Sequence, residues 1–114
     1  REIRGSIRSR WIAIGRSANI CGYPTTNELV AADGVGRYNK MSGDRCYIYF
    51  SAASGAHVVR GKIGDKWIAL GGVKSRLKYP TSDEYKTAYG ARSDFQGGSI
   101  LWYSAKLTAV VVYK

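Results

Sequence analysis

Four kinds of side chain in this sequence could do chemistry. His57 is the only histidine. With Glu28 as its partner and an arginine to steady a phosphate, one histidine is enough for general acid–base cleavage of a phosphodiester. The carboxylates Glu28, Asp83 and Glu84 each follow a Tyr-Pro-Thr segment. There they can accept hydrogen bonds from sugar hydroxyls, or act structurally, since Thr-x-x-Glu is the spacing of a capping box. Two basic clusters, Arg8, Arg10 and Arg16, and Lys74, Arg76 and Lys78, have the charge to hold an anion. Trp102 and the tyrosines Tyr38, Tyr47, Tyr49, Tyr89 and Tyr103 offer flat rings on which a sugar or a base can stack. Trp11 and Trp67 fall at apolar helical spacing and are expected in the core.

Other chemistries lack their patterns. There is no Gly-x-Ser-x-Gly nucleophile elbow, no Walker or dinucleotide glycine pattern and no Asp-rich calcium loop. Two cysteines and one histidine have no zinc-ligand spacing, so neither a metal nor a cofactor is expected. Cys21 and Cys46 permit one intramolecular disulfide, and composition alone leaves two buried thiols equally open. A bonded pair, tying the Tyr-Pro loop to a strand, is the expectation carried forward. Its loop would stabilise by about 3 kcal/mol in the chain-entropy model.

The 114 residues suit a single domain spanning 1–114. They include 45% hydrophobic residues, which excludes a disordered or collagen-like chain. Eighteen Lys and Arg against eight Asp and Glu leave a net charge of +10. That exceeds the ~2–8 that solubility asks of a small domain, and points to an anionic partner. The charge is no tail: nine basic and four acidic residues lie in 1–60 and the same numbers in 61–114. No apolar run approaches the ~20 residues of a membrane-spanning helix, so the chain is expected to be soluble. Arg1 in the first position fits a trimmed product whose targeting segment has been removed.

The elements that must position these residues come twice. Residues 7–28 align without a gap on 63–84, with identities at Ile7/Ile63, Trp11/Trp67, Ile12/Ile68, Ala13/Ala69, Gly15/Gly71, Tyr23/Tyr79, Pro24/Pro80, Thr25/Thr81 and Glu28/Glu84. Further on, Gly36 matches Gly90, Met41 matches Phe95, and 56–59 matches 109–112, placing Val110 opposite His57. The segment 2–7 aligns in turn on 58–63, so the chain opens inside a unit. The two repeats run over about 5–60 and 61–114. In each, an apolar i, i+4, i+7 stripe ending at glycine predicts a short helix. Runs at 37–41, 46–50 and 57–60, and at 91–95, 99–103 and 109–113, predict an antiparallel three-stranded meander.

The motifs 67–72 (WIALGG), 79–84 (YPTSDE), 95–100 (FQGGSI) and 54–57 (SGAH) closely resemble the LGFP repeat. The resemblance covers nearly the whole chain. It implies a mainly β, propeller-blade-like module, secreted or attached to the cell surface or cell wall, which binds the envelope. This chain departs from the motif at Arg16, which stands opposite Gly72, and at Lys78, which stands opposite Gly22. Two units cannot close as a longer ring would, so segment 2–4 is expected to pair with the last strand, 109–113, and cover its edge.

The function expected from all this is a non-enzymatic cationic module that binds an anionic glycan, a cell-wall polymer or an anionic lipid surface. Arg8, Arg10, Arg16, Lys74, Arg76 and Lys78 would supply affinity, and Trp102, Glu28, Asp83 and Glu84 orientation. The alternatives are a small secreted cationic toxin or inhibitor, with nuclease activity centred on His57 and Glu28, and a protein–protein module.

Overall fold

The computed structural model describes residues 2–15 and 21–114. Among these residues two α-helices, a one-turn 3-10 helix at Gly72–Lys74 and two four-stranded sheets are formed. Helix α1 (Gly5–Ala13) precedes β1 (Leu29–Val30), β2 (Arg37–Lys40), β3 (Tyr47–Ser51) and β4 (Gly55–Val59). Helix α2 (Gly61–Leu70) precedes β5 (Tyr85–Thr87), β6 (Gly90–Phe95), β7 (Gly98–Tyr103) and β8 (Thr108–Tyr113). Both sheets are antiparallel meanders, ordered β1-β2-β3-β4 and β5-β6-β7-β8. The expected three-stranded meander is thus one strand short in each unit. The additional β1 and β5 are only two and three residues long, and too short to show a period-two pattern.

Strand alternation decides how the layers stack. On β3, Ile48 points to the side of the sheet shared with Ile7, Trp11, Met41 and Val58. Tyr49 points to the other side, onto Ile63 and Trp67 of α2 and Phe95 and Ile100 of the second sheet. The order of layers is therefore α1, first sheet, α2, second sheet. The first sheet is covered on both faces, and α2 is clamped between sheets. The units form a short stack, not a closed propeller.

That order removes the expected closure. Segment 2–4 leads into α1, on the far side of the first sheet from the second. Three residues reach about 11 Å, roughly the thickness of a single layer. The segment is instead fastened to its own unit: the Glu2 amide donates to Asn27 Oδ1 (2.7 Å), and the buried Asn39 donates from Nδ2 to Glu2 O (3.0 Å) and Thr26 O (2.9 Å). Among the described residues β8 pairs only with β7, and its Val110 and Val112 stay exposed.

The Tyr-Pro-Thr turns dock as bridges, Pro24 against Met41 and Pro80 against Phe95. No helix begins there, so the Thr-x-x-Glu spacing is not a capping box. The Thr25 hydroxyl and amide both donate to Lys40 O. These bridges fix the structural match of the units: Met41 corresponds to Phe95, Asn39 to Ser93, Ile48 to Ile100 and Cys46 to Gly98.

Cys21 and Cys46 are bonded, with Cα atoms 5.3 Å apart. In the second unit Leu77 takes the place of Cys21, fully buried, and leans on Gly98. A Cβ at Gly98 would lie 3.1 Å from Leu77 Cδ2 and 2.2 Å from Val112 O, so no cysteine fits there. One core slot is thus filled by a disulfide in one unit and by leucine over glycine in the other.

Removing the bond as Cys21→Ala/Cys46→Ala should lower the unfolding free energy by about 3 kcal/mol. Cys21→Leu/Cys46→Gly, which copies the second unit, should recover part of that loss. Urea denaturation of the two variants checks this, and equal stability would refute the equivalence.

Candidate functional site

The carboxylates after the Tyr-Pro-Thr turns all face arginine, but in three different settings. Glu28 lies 3.8 Å from Arg37 at the edge of the first sheet. Asp83 crosses to the first unit: Oδ1 accepts the Val58 amide (2.8 Å) and Oδ2 accepts Arg10 (3.2 Å). Glu84 forms a tight pair with Arg60, both largely shielded from solvent. Burial raises the Glu84 carboxyl above its usual range, with Arg60 pulling the other way.

Glu84 and Trp102, expected to orient a ligand, come together in one cleft of about 200 Å³ where the units join. Arg60 leaves β4 and Lys62 sits in the first turn of α2, so the link between units supplies two cations. Asp44 and Arg45, from the β2–β3 turn, complete the rim and bond to each other. The half-buried indole forms a wall beside an ion pair. A flat apolar face next to charged donors and acceptors suits a pyranose, whose ring presents C–H groups on one side and hydroxyls around its edge. Arg45 is held by both Asp44 and Asp65, and Arg60 by Glu84, while Lys62 makes no ion pair among the described residues.

Among the described residues, the members of the two basic clusters sit in different surroundings. Arg10 is committed to Asp83 and to Ala56 O, whereas Arg8 is exposed on α1. Arg16 lies outside the described residues. Arg76 stacks over the Tyr113 ring, 4.4 Å from its centroid, and donates to Lys114 O. Lys74 and Lys78 line a different cavity, of about 450 Å³, on the seam between the first sheet and the second unit.

That seam has its own network. The Tyr79 hydroxyl donates to Asp33 Oδ1 (2.6 Å) and accepts the Gly36 amide (2.8 Å). Burial, with the Asp33 hydrogen bond adding to it, pushes the Tyr79 phenol up to about 12. Burial works to raise Asp33 too, but the bonds from Tyr79 and the Val35 amide prevail and hold its carboxyl below the usual range.

His57 is turned inward. Nε2 donates to Ser54 O (2.9 Å), and the buried Nδ1 lies 3.7 Å from Asp83 Oδ1. Its neighbour is therefore Asp83, and among the described residues no hydrogen bond or ion pair joins it to Glu28. Tyr38, Tyr47 and Tyr49 cluster between the first sheet and α2, with Tyr38 and Tyr49 stacked at 4.7 Å. Tyr89 and Tyr103 stack on each other at 5.0 Å.

Arg45, Arg60, Lys62 and Asp33 escaped sequence reasoning, since none belongs to a duplicated motif of known chemistry. The one available signal was the match of Arg60-Gly61 to Arg4-Gly5, which marks the junction.

Two comparisons bear on this geometry. The family model of the LGFP repeat matches residues 22–75 and again 77–114. No curated protein matches.

Asp83 holds the two units together, so Asp83→Ala should cost about 1–3 kcal/mol by stranding the Val58 amide and Arg10. Asp83→Asn, which keeps an acceptor for the amide, should lose less. Thermal unfolding ranks the pair, and no loss in either would show that the contact does not bind the units.

Proposed function

The chain belongs to the LGFP repeat family, and on that premise we propose that it is a secreted, cationic module that binds an acidic polysaccharide of the cell envelope. The observation that carries this reading is the cleft at the unit junction, where Trp102 stands beside Arg60, Glu84, Lys62 and Arg45. The indole takes the apolar face of one sugar residue. Arg60 and Glu84 bind its hydroxyls, and exposed Lys62, which no carboxylate pairs among the described residues, attracts its acidic group.

Charges away from the cleft act at longer range. Net charge of +10 draws the polymer in, with exposed Arg8 and Lys86 among the contributors. Affinity is then a sum of many weak contacts along a repeating anionic chain, and should fall with salt. The Cys21–Cys46 bond supports a secreted setting, because such bonds persist in oxidising compartments. No helix among the described residues is long and apolar enough to cross a membrane.

Retention on an immobilised acidic polysaccharide, compared with a neutral one at low and high salt, tests the reading. The protein should bind the acidic polymer and elute as salt rises. Trp102→Ala should weaken retention about tenfold, a loss of about 1.4 kcal/mol, while Trp102→Phe keeps most of it. Equal retention on the neutral polymer, or no effect of Trp102→Ala in a folded protein, would sink it.

A further inference from the structure

We infer that the seam cavity holding Lys74 and Lys78 is a second, discrete binding site, for a small acidic sugar. It stands apart from the Trp102 cleft and does not depend on the reading of that cleft. It is an open depression of about 450 Å³, with room for one or two sugar rings. Its walls come from both units, so it exists only because the units are stacked.

The first observation is a residue held against its own preference. Lys78 has φ 61°, in the left-handed region that side chains other than glycine disfavour. The equivalent position in the first unit is Gly22, at φ 71°. The backbone task is the same in both: the Gly22 carbonyl accepts Trp11 Nε1–H, and the Lys78 carbonyl accepts Trp67 Nε1–H. Glycine would do that task without strain, so the lysine side chain is not there for the fold. It lines the cavity. Arg45 and Leu107 are left-handed as well, but of the three only Lys78 replaces a left-handed glycine of the other unit and lines this cavity, and strained backbone clusters at binding sites.

The second observation is what surrounds it. Among the described residues, no carboxylate lies within ion-pair distance of Lys74 or Lys78. Both cations are therefore available to a ligand. The cavity walls are apolar at Val35 and Val73. Asp33, on the same wall, is fixed by Tyr79 and Val35 and keeps Oδ2 as an acceptor. Gln96 accepts the Tyr79 amide with Oε1, leaving its NH2 to donate.

The set specifies a ligand class. Two cations call for an anion, but Asp33 would repel a bare phosphate held close. A molecule with an acidic group at one end and hydroxyls at the other satisfies both, and the valines meet the face of its ring. A uronic acid has that layout: its carboxylate meets Lys74 and Lys78, and a hydroxyl donates to Asp33.

Titration of the protein with glucuronate, glucose and inorganic phosphate, followed by amide NMR shifts, tests this. Glucuronate should move the Val73, Ser75 and Gln96 amides saturably, while glucose and phosphate do not. Lys78→Gly restores the residue of the first unit, so it should melt no lower than wild type and yet bind glucuronate at least tenfold more weakly. Lys74→Ala should also weaken binding several-fold, and Trp102→Ala should leave it intact. Glucose shifting the same amides to the same extent, or unchanged glucuronate binding in both lysine variants, would overturn the assignment.

Discussion

Everything else in this molecule is arranged around Trp67. Its side chain is wholly buried. The ring meets Tyr49 of the first sheet edge-on at 4.8 Å and stacks on Phe95 of the second at 5.6 Å. Its one polar atom is satisfied by the Lys78 carbonyl at 3.0 Å. One side chain thus belongs to the cores of both units, and neither sheet could keep its inner face dry without it. Trp11, its counterpart, makes the same hydrogen bond to Gly22 but remains half-buried, because α1 has a sheet on one side only.

The clamp on α2 sets demands that α1 does not face. Gly64 lies against Val59, where an added Cβ would fall 3.3 Å from Val59 Cγ1, so a larger residue there would lever the helix off the first sheet. The matching residue of α1 is Arg8, exposed. The far face of the second sheet differs from the first in the same sense. Tyr38 and Tyr47, which line the α2 side of the first sheet, correspond to Arg92 and Ser99. These bond to Asp94, which also accepts the Tyr85 hydroxyl. The outer face of the second sheet is thus mixed: the Arg92, Ser99 and Asp94 network stands beside exposed Val110 and Val112, where the inner faces are apolar and close-fitting.

Legibility in the sequence followed the range of the interactions. Both helices and six of the eight strands were readable, because periodicity, glycine stops and turn residues act locally. The duplication gave the correspondence of the units, and with it the tryptophans as core. What could not be read was the layer order. Alignment says that Trp11 equals Trp67, but not that a second sheet covers only one of them. The expected pairing of segment 2–4 with β8 failed for that reason. The carboxylate motif shows the same limit: residue type and turn single out Glu28, Asp83 and Glu84 alike, yet of the three it is Glu84 that lines the cleft with Trp102, since its partner Arg60 comes from the junction between units.

A duplicated sequence therefore does not yield duplicated sites. Arg4 and Arg60 occupy equivalent positions, but Arg4 pairs with Glu2 on an open surface and Arg60 pairs with Glu84 inside the cleft. Gly22 and Lys78 share a backbone conformation, and Lys78 borders a cavity walled in part by the other unit. In each case the second copy faces its neighbour across the seam. The fold requires that the units resemble each other where they build their cores. It leaves them free to differ along the seam, where a cleft and a cavity appear that neither unit makes alone. At one of those seam positions a lysine takes the left-handed backbone that a glycine takes in the first unit, at a cost in strain that the cores do not require.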